Sequence, residues 1–178
     1  MHEDHHLPAE ALASGLEAIR QSPKTAGVLR LIVCRPDIEQ RATLREGRLD
    51  EAAGLVGDSW PQRGSAHPDM QLTVMNARAI ALIAGSPERW PLAGDQLFAD
   101  LDLSNANLPA GSRLRIGEAV IEITAVPHTG CAKFKARFGP AALAFVNSPA
   151  GRELNLRGVN ARIITSGVIR VGDPIVKL

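Results

Sequence analysis

Short runs of alternating or clustered hydrophobic residues divide much of the chain into predicted strands. Strand-like patterns occupy residues 25–36, 70–75, 95–103, 112–117 and 119–126. In the last of these, Ile121 and Ile123 alternate with polar neighbours, which is the period of a strand with one buried face. The stretch 157–178 predicts two or three further strands, joined at positions 166–167 and 172–173.

Helical periodicity is confined to a few brief segments. Residues 8–21 predict an amphipathic helix that starts at a proline and ends before another. Residues 76–85 predict a compact helix between an asparagine cap and a terminating glycine. A short basic helix is expected within residues 128–139, and residues 140–147 predict a further helical piece.

This order of elements predicts a fold class. Short strands at close spacing with brief inserted helices favour a mainly β, α+β protein, namely a β-barrel decorated by short helices. The regular alternation of strand and helix that a doubly wound parallel sheet requires is absent from the sequence. We expect residues 1–24 to form an N-terminal tail and helix, and residues 25–178 to form the barrel domain.

Composition limits the classes of molecule that the protein is expected to bind. The 178 residues suffice for one domain, and the 45% hydrophobic and 22% charged content is that of a soluble globular protein. A net charge of +1, no tyrosine and 3% aromatic residues argue against a nucleic-acid partner. No apolar run approaches the roughly 18 residues of a membrane span, and no secretory signal is recognisable. We therefore expect a cytoplasmic protein.

Several well-defined catalytic and metal-binding motifs do not occur. The sequence contains no glycine-rich phosphate loop, no G-x-S-x-G nucleophile elbow and no C-x-x-C pair. Residues 2–6, HEDHH, match H-E-x-x-H in letters only, because that motif needs a helix in a protected cleft and Pro8 disfavours helical geometry just after it. For these residues a solvated tail is the simpler interpretation.

The candidate chemistry centres on Cys131, one of two cysteines that a reducing compartment would keep as thiols. If Thr129 caps the basic helix, Cys131 falls in its first turn, where free N–H groups favour a thiolate. Lys135, one turn further on, would add positive charge. The alternative is plain packing, since Phe134 and Phe138 form an apolar stripe beside the cysteine.

Other polar residues of the same segment have two interpretations each. His128 could hydrogen-bond a thiolate or an anionic ligand and transfer protons near neutral pH, or it could be a surface histidine. Lys133 and Arg137 form a pair four residues apart, which is either a solvated face or a phosphate contact at a pocket rim. The residues alone leave these alternatives open.

Three segments together resemble a known family. They are GLVGD at 54–58, the stretch 94–139 that ends in HTGCAKFKARFG, and RGVNARIITSGVIRVGDPIVKL at 157–178. Their order and spacing are similar to the MOSC domain, named for the C-terminal part of molybdenum-cofactor sulfurase, and the resemblance spans about residues 25–178. Asp95 and Gln96 stand where the family usually has Glu and Asn.

The resemblance implies a β-barrel with a pocket at the position of Cys131. In this family the matching cysteine is thought to carry sulfur as a persulfide or to ligate molybdenum of the molybdenum cofactor, molybdopterin. Relatives with such a domain reduce N-hydroxylated substrates, so the chain could be an oxidoreductase or a sulfurtransferase-like protein. Pyridoxal phosphate belongs to a fused desulfurase of some members and is not expected to bind here.

The resemblance also implies roles for individual residues. Cys131 would be the sulfur or metal ligand, supported by His128, Thr129 and Lys135. Arg157, Asn160 and Arg162 match the closing R-G-x-x-A-R stretch and would bind an anionic group.

Two rival functions remain. One is a molybdenum-free persulfide carrier, and the other is a non-catalytic binding or regulatory module in which Cys131 only packs. A cysteine desulfurase or an electron-transfer protein would be the natural partner of the reactive forms. Exposed strand edges in a small barrel are compatible with a homodimer.

Overall fold

A computed structural model of the protein describes residues 6–178; residues 1–5, which include most of the predicted tail and of the HEDHH segment, lie outside the described residues. The α-helices are α1 Ala9–Ser14, α2 Leu16–Arg20, α3 Ala77–Ala84, α4 Ala132–Phe138, α5 Pro140–Asn147 and α6 Pro149–Glu153. Shorter 3-10 helices cover Trp60–Gln62, Pro68–Met70 and Pro87–Ala93. Within residues 6–178, none of the helices combines the length and the apolar character required to cross a bilayer.

The strands are β1 Ala26–Cys34, β2 Ala42–Leu44, β3 Glu46–Asp50, β4 Gly54–Leu55, β5 Leu72–Asn76, β6 Leu97–Asp100, β7 Arg113–Ile116, β8 Ala119–Ile123, β9 Val159–Thr165, β10 Gly167–Arg170 and β11 Pro174–Lys177. Seven of them close a barrel in the order β11-β7-β8-β9-β5-β6-β1, because β1 pairs back onto β11. β2 pairs with the C-terminal part of β1, on the same edge that pairs with β11 nearer its N-terminus, and β10, β3 and β4 form a small separate sheet. The prediction of a β-barrel decorated by short helices is confirmed.

The alternation of buried residues along the strands creates two hydrophobic layers. On β6, Leu97 and Ala99 belong to one cluster and Phe98 to the other, because successive side chains point to opposite faces of a sheet. The first cluster fills the barrel, and the second lies between the barrel wall and the helices. Phe134 and Phe138 of α4 belong to this second layer, so they anchor the helix to the barrel.

The helix predicted over residues 8–21 is two helices that meet at Gly15. A Cβ at this glycine would lie only 2.5 Å from Leu82 Cδ2, so the glycine allows α3 to approach closely. The prediction for α3 itself is confirmed, since the Asn76 side chain accepts hydrogen bonds from the N–H groups of Arg78 and Ala79, and the helix ends at Gly85.

The start of α4 differs from the prediction. Cys131, rather than Thr129, is the residue that caps the helix, and the first helical residue is Ala132. Cys131 has an extended backbone, and its carbonyl oxygen accepts the first helical hydrogen bond from Lys135 at 3.0 Å. The thiol therefore lies at the edge of the helix and not within its first turn.

Candidate functional site

A cleft of about 460 Å³ lies between α4 and the loops that follow β1 and precede β6. Its lining is dominated by cationic side chains, and we call it the cationic cleft. Its six basic residues are Arg35, Arg41, Arg63, Lys133, Arg137 and Arg157. Glu39 is the one carboxylate among the described residues that line it. Such an excess of positive charge in a concave site favours an anionic ligand.

Cys131 lines this cleft with an exposed thiol. Partial burial opposes ionisation of the thiol, but the backbone N–H groups of Phe134 and Lys133 and the charges of Arg157 and Arg137 outweigh it, so the pKa of Cys131 is lowered. Phe134, three residues on, is by contrast almost completely buried. Cys131 thus does not share the buried face of α4, and its thiol is accessible to a ligand.

A buried ion pair holds one arginine in position at the cleft wall. Asp95, which is fully buried, pairs with Arg157 Nη1, and Arg157 Nη2 donates a 2.8 Å hydrogen bond to the carbonyl oxygen of Ala93. The guanidinium carbon of Arg157 lies 5.0 Å from the centre of the Phe134 ring. The orientation of Arg157 is therefore fixed on three sides.

His128 lies against the same carboxylate. Its Nδ1 is 3.5 Å from Asp95 Oδ1. Burial lowers the pKa of His128 to about 4, the charge of Asp95 opposes this, and the charges of Arg157 and Arg35 add to it. The imidazole is therefore neutral at neutral pH, and it can offer one nitrogen as a hydrogen-bond acceptor.

A second buried network holds Arg35. Its Nε and Nη2 donate to the two oxygens of Asp58 at 3.0 and 2.9 Å, and its Nη1 donates to the carbonyl oxygen of Gly94 at 3.1 Å. Burial opposes the charge of Asp58, but the hydrogen bonds and charge of Arg35 outweigh it and lower the pKa of this carboxyl group. Gln96 joins the network through Asp58 Oδ2 at 3.4 Å and accepts from Thr73 Oγ1 at 2.8 Å.

Asp95 and Gln96, two of the positions at which the sequence differs from the usual pattern of the family it resembles, are both fully buried. Each one contacts an arginine network rather than the open cleft. Both residues lie behind the lining of the cleft, where they help to hold Arg157 and Arg35, whose charges face a ligand.

Two cleft arginines have no carboxylate partner within residues 6–178. Arg41 donates to the carbonyl oxygens of Pro91 and Gln40, and Arg63 donates to Ser59 Oγ. Burial lowers the pKa of Arg41, and the charges of Arg137 and Arg35 lower it further; burial and Arg35 do the same to Arg63. Crowded like charges with unused donors are the features of an anion-binding site.

The sequence-predicted site residues fall into three groups. Those lining the cationic cleft are Cys131, His128, Lys133, Arg137 and Arg157. Thr129 and Asn160 line an adjacent cavity, to which His128 and Arg157 also contribute. Lys135 and Arg162 line neither; Lys135 is exposed, and Arg162 pairs with Glu122 at 2.7 Å.

Sequence reasoning missed Arg35, Arg41 and Arg63. Arg35 directly follows β1. A charged residue at the end of a buried strand is a pattern in the sequence that could have identified Arg35 as a site residue. Arg41 and Arg63 lie in loops whose approach to α4 depends on tertiary structure, so no local pattern marks them. Within residues 6–178, no three His, Cys, Asp or Glu side chains cluster as a metal site would require.

Comparisons with known proteins add to this geometry. The family model described as the MOSC domain matches residues 61–176. The solved YuaD protein from Bacillus subtilis superposes with a TM-score of 0.61 at 16% identity, over 84% of this chain and 94% of that one. YiiM from Escherichia coli superposes with a TM-score of 0.55 at 22% identity, over 85% and 69% of the two chains. At such identities the likeness shows the fold. No protein of curated function matches the chain.

Proposed function

This chain belongs to the MOSC domain family, and from that premise we propose that the Cys131 thiolate is the reactive group of the cationic cleft and ligates the molybdenum of a pterin cofactor. The observation that carries the proposal is the accessible thiol of lowered pKa in a cleft with six basic side chains. A soft thiolate suits a molybdenum centre, and the surrounding charge suits an anionic cofactor.

The residues present fit such a group. Arg41 and Arg63 carry guanidinium donors without a carboxylate partner in the described chain, so they are suited to a pterin phosphate. Arg157 and Arg35 are held rigidly by Asp95 and Asp58, which pre-organises their charge for an anion. When bound, the cofactor would supply two-electron redox chemistry, as the reduction of an N-hydroxylated compound to an amine and water requires.

The protein's own residues would perform the binding steps. The ring of Phe134 packs against the guanidinium group of Arg157. The neutral imidazole of His128 offers a hydrogen-bond acceptor at the boundary of the cleft. Glu39 pairs with Arg137 at 2.9 Å and with Lys133 at 3.5 Å, and an incoming anion would compete for both cations.

A second candidate function is favoured by the exposure of Cys131. A molybdenum-free carrier needs a thiolate that another protein can reach, and this thiol is exposed at the end of a helix. Cys131 would attack the outer sulfur of a persulfide on a cysteine desulfurase, form a new S–S bond and release the donor's thiolate.

Molybdenum content distinguishes the two functions. Protein purified from a molybdate-supplied host should contain near-stoichiometric molybdenum, which Cys131→Ser should lose and the matched thiol control Cys34→Ala should retain. If the metal is absent, and incubation with a desulfurase and cysteine adds one sulfur atom to the intact mass at Cys131, the protein is a carrier. If neither result appears, Cys131 has no sulfur or metal role and the binding-module alternative applies.

A further inference from the structure

The two ring nitrogens of His128 lie in different surroundings. Nδ1 is buried and faces Oδ1 of Asp95 at 3.5 Å, and this carboxylate oxygen is itself buried. Neither atom has another hydrogen-bond partner within residues 6–178. The side chain of His128 is nevertheless 18% exposed, and its Nε2 is not among the buried atoms without a partner. One nitrogen therefore faces the protein, and the other is accessible to a ligand.

The buried carboxylate decides which nitrogen carries the proton of the neutral imidazole. A carboxylate oxygen only accepts hydrogen bonds, whereas Nδ1 donates when it is protonated and accepts when it is not. A proton on Nε2 would leave two acceptors facing each other in a buried site, which is unfavourable. A proton on Nδ1 makes Asp95 and His128 complementary. The ring therefore holds its proton on Nδ1, and Nε2 has a free lone pair.

The surroundings of Asp95 keep this arrangement in place. Its other oxygen pairs with Arg157 Nη1, so the carboxylate is held from the opposite side. Gly158 has a φ of 120°, and a Cβ at this glycine would lie 3.2 Å from both Asp95 Oδ1 and His128 Nδ1. The absence of a side chain at Gly158 thus leaves room for the pair. Asp95 acts as a positioning residue for His128.

A fixed acceptor is unusual in the lining of the cationic cleft. The six basic side chains only donate hydrogen bonds. The carboxylate of Glu39 is already paired with two of them, and the hydroxyls of Ser65 and Thr73 can either donate or accept. Nε2 of His128 differs from these hydroxyls, because it cannot donate while the proton is held on Nδ1.

We propose that the cationic cleft selects anions that carry an O–H or N–H group of their own, because His128 Nε2, oriented by Asp95, accepts a hydrogen bond from that group. An anion of the same shape without such a hydrogen would direct a lone pair at Nε2 and bind more weakly. Hydrogen phosphate and phosphate monoesters that retain a proton belong to the favoured class, and sulfate does not. This selectivity rests on the anion site of the proposed function but requires neither molybdenum nor a reaction at Cys131.

Inorganic phosphate and sulfate test this selectivity, since both are tetrahedral and of similar size. Near neutral pH phosphate retains at least one O–H group, whereas sulfate has none and carries at least as much negative charge. Isothermal titration at low salt, on the full chain produced without molybdate, should show phosphate binding about tenfold more tightly than sulfate. Equal affinities, tighter binding of sulfate or no binding of either anion would overturn the proposal.

Variants of the two residues test their roles. His128→Gln should bring the ratio of the two affinities close to one, because an amide can turn either its oxygen or its N–H group to the anion. His67→Gln, at an exposed histidine outside the lining, is the matched control and should keep the wild-type ratio. In Asp95→Asn, Arg157 should retain the amide oxygen, so the amide N–H faces Nδ1, the proton moves to Nε2, and sulfate becomes the preferred anion. An unchanged ratio in His128→Gln would contradict the proposal.

Nitrogen NMR of the labelled protein tests the position of the proton without a ligand, because protonated and unprotonated ring nitrogens have well-separated chemical shifts. In the wild type, Nδ1 of His128 should be protonated and Nε2 unprotonated, and Asp95→Asn should reverse this. A wild-type proton on Nε2 would overturn the proposal even if the variants did not fold. Molybdenum content separates this outcome from that of the proposed function. A ratio of one in a protein that binds molybdenum overturns the selectivity alone, whereas the expected ratio in a protein that binds no molybdenum overturns the metal role alone.

Discussion

The two cysteines occupy opposite environments. Cys34 faces the interior of the barrel, where burial first and the charge of Asp58 second raise the pKa of its thiol. Cys131 is exposed, and the pKa of its thiol is lowered. At neutral pH the thiol of Cys131 is therefore ionised to a greater extent than the thiol of Cys34.

This contrast predicts site-selective alkylation. Iodoacetamide should modify Cys131 in the native state, and the rate should reach half of its maximum at a lower pH than for an ordinary thiol, while Cys34 reacts only after unfolding. Peptide mass spectrometry after timed quenching measures both sites in one sample. Equal rates at the two cysteines in the folded protein would contradict the prediction.

The buried state of His128 predicts a pH dependence of stability. The native pKa of about 4 lies below the unfolded value, so the unfolded chain binds the proton first as the pH falls. Above about pH 6.5, His128 is neutral in both states and does not lower the free energy of unfolding. Between there and about pH 4, protonation of the unfolded chain progressively lowers the free energy of unfolding. Between about pH 7.5 and 5 this costs about 2 kcal/mol of unfolding free energy. Urea unfolding at both pH values should show a loss of unfolding free energy that is about 2 kcal/mol larger in the wild type than in His128→Gln.

Local sequence pattern predicted site residues only where one segment carries them, and Arg157 of the same cleft was predicted through the family resemblance. His128, Cys131, Lys133 and Arg137 are close in sequence on the strand-to-helix segment, so a local pattern was enough to nominate them. The opposing wall of the cleft comes from Arg35, Arg41 and Arg63, which approach α4 only through the closure of the barrel. No periodicity in the sequence encodes that approach.

At the scale of elements, the segment between β1 and β2 controls the charge of the cleft. It carries Arg35, Glu39 and Arg41, and Glu39 connects it to α4 through Lys133 and Arg137. Glu39 adopts a left-handed backbone conformation, with φ of 59°, which is uncommon for a residue other than glycine. The carboxylate thus occupies the position at which an external anion would meet these two cations.

Removing this carboxylate charge should strengthen anion binding. Glu39→Gln should raise the affinity of the cleft for inorganic phosphate by about three- to tenfold, since it frees two cations and removes a repulsive charge. Glu88→Gln, at an exposed position of a 3-10 helix, is the matched control and should have no effect. Isothermal titration at low salt measures both, and unchanged affinity in Glu39→Gln would mean that the anion does not meet Arg137 or Lys133.

The elements that sequence analysis missed are short or highly charged. β2 and β3 together hold mostly polar and exposed residues, so hydrophobic alternation does not reveal them. β4 has two residues and α6 has five, which is below the length at which periodicity is informative. The longer strands and α3 were predictable because a buried face repeats along each of them.

At the scale of the whole molecule, the barrel depends on a seam between β1 and β11. Val28 pairs with Pro174 and Ala26 with Val176, while the other edge of β11 pairs with β7. Ile175 is fully buried in the barrel interior, and Val176, on the opposite face, is 37% exposed.

These neighbouring positions form a matched pair for testing the seam. Ile175→Asp should destabilise the protein by more than about 3 kcal/mol, because it buries an unpaired charge, and Val176→Asp by less than about 1 kcal/mol. Urea unfolding followed by circular dichroism compares them. Similar losses in the two variants would show that the seam is not a packed part of the barrel.

The same seam has a consequence for synthesis on the ribosome. β1 leaves the exit tunnel well before β11, and the two strands cannot pair until residue 177 has also emerged. Until then the nascent chain carries this part of β1 with an unpaired edge, and non-local pairing of this kind is slow and prone to aggregation. A chaperone that shields extended apolar segments would be expected to act on this protein before its barrel has closed.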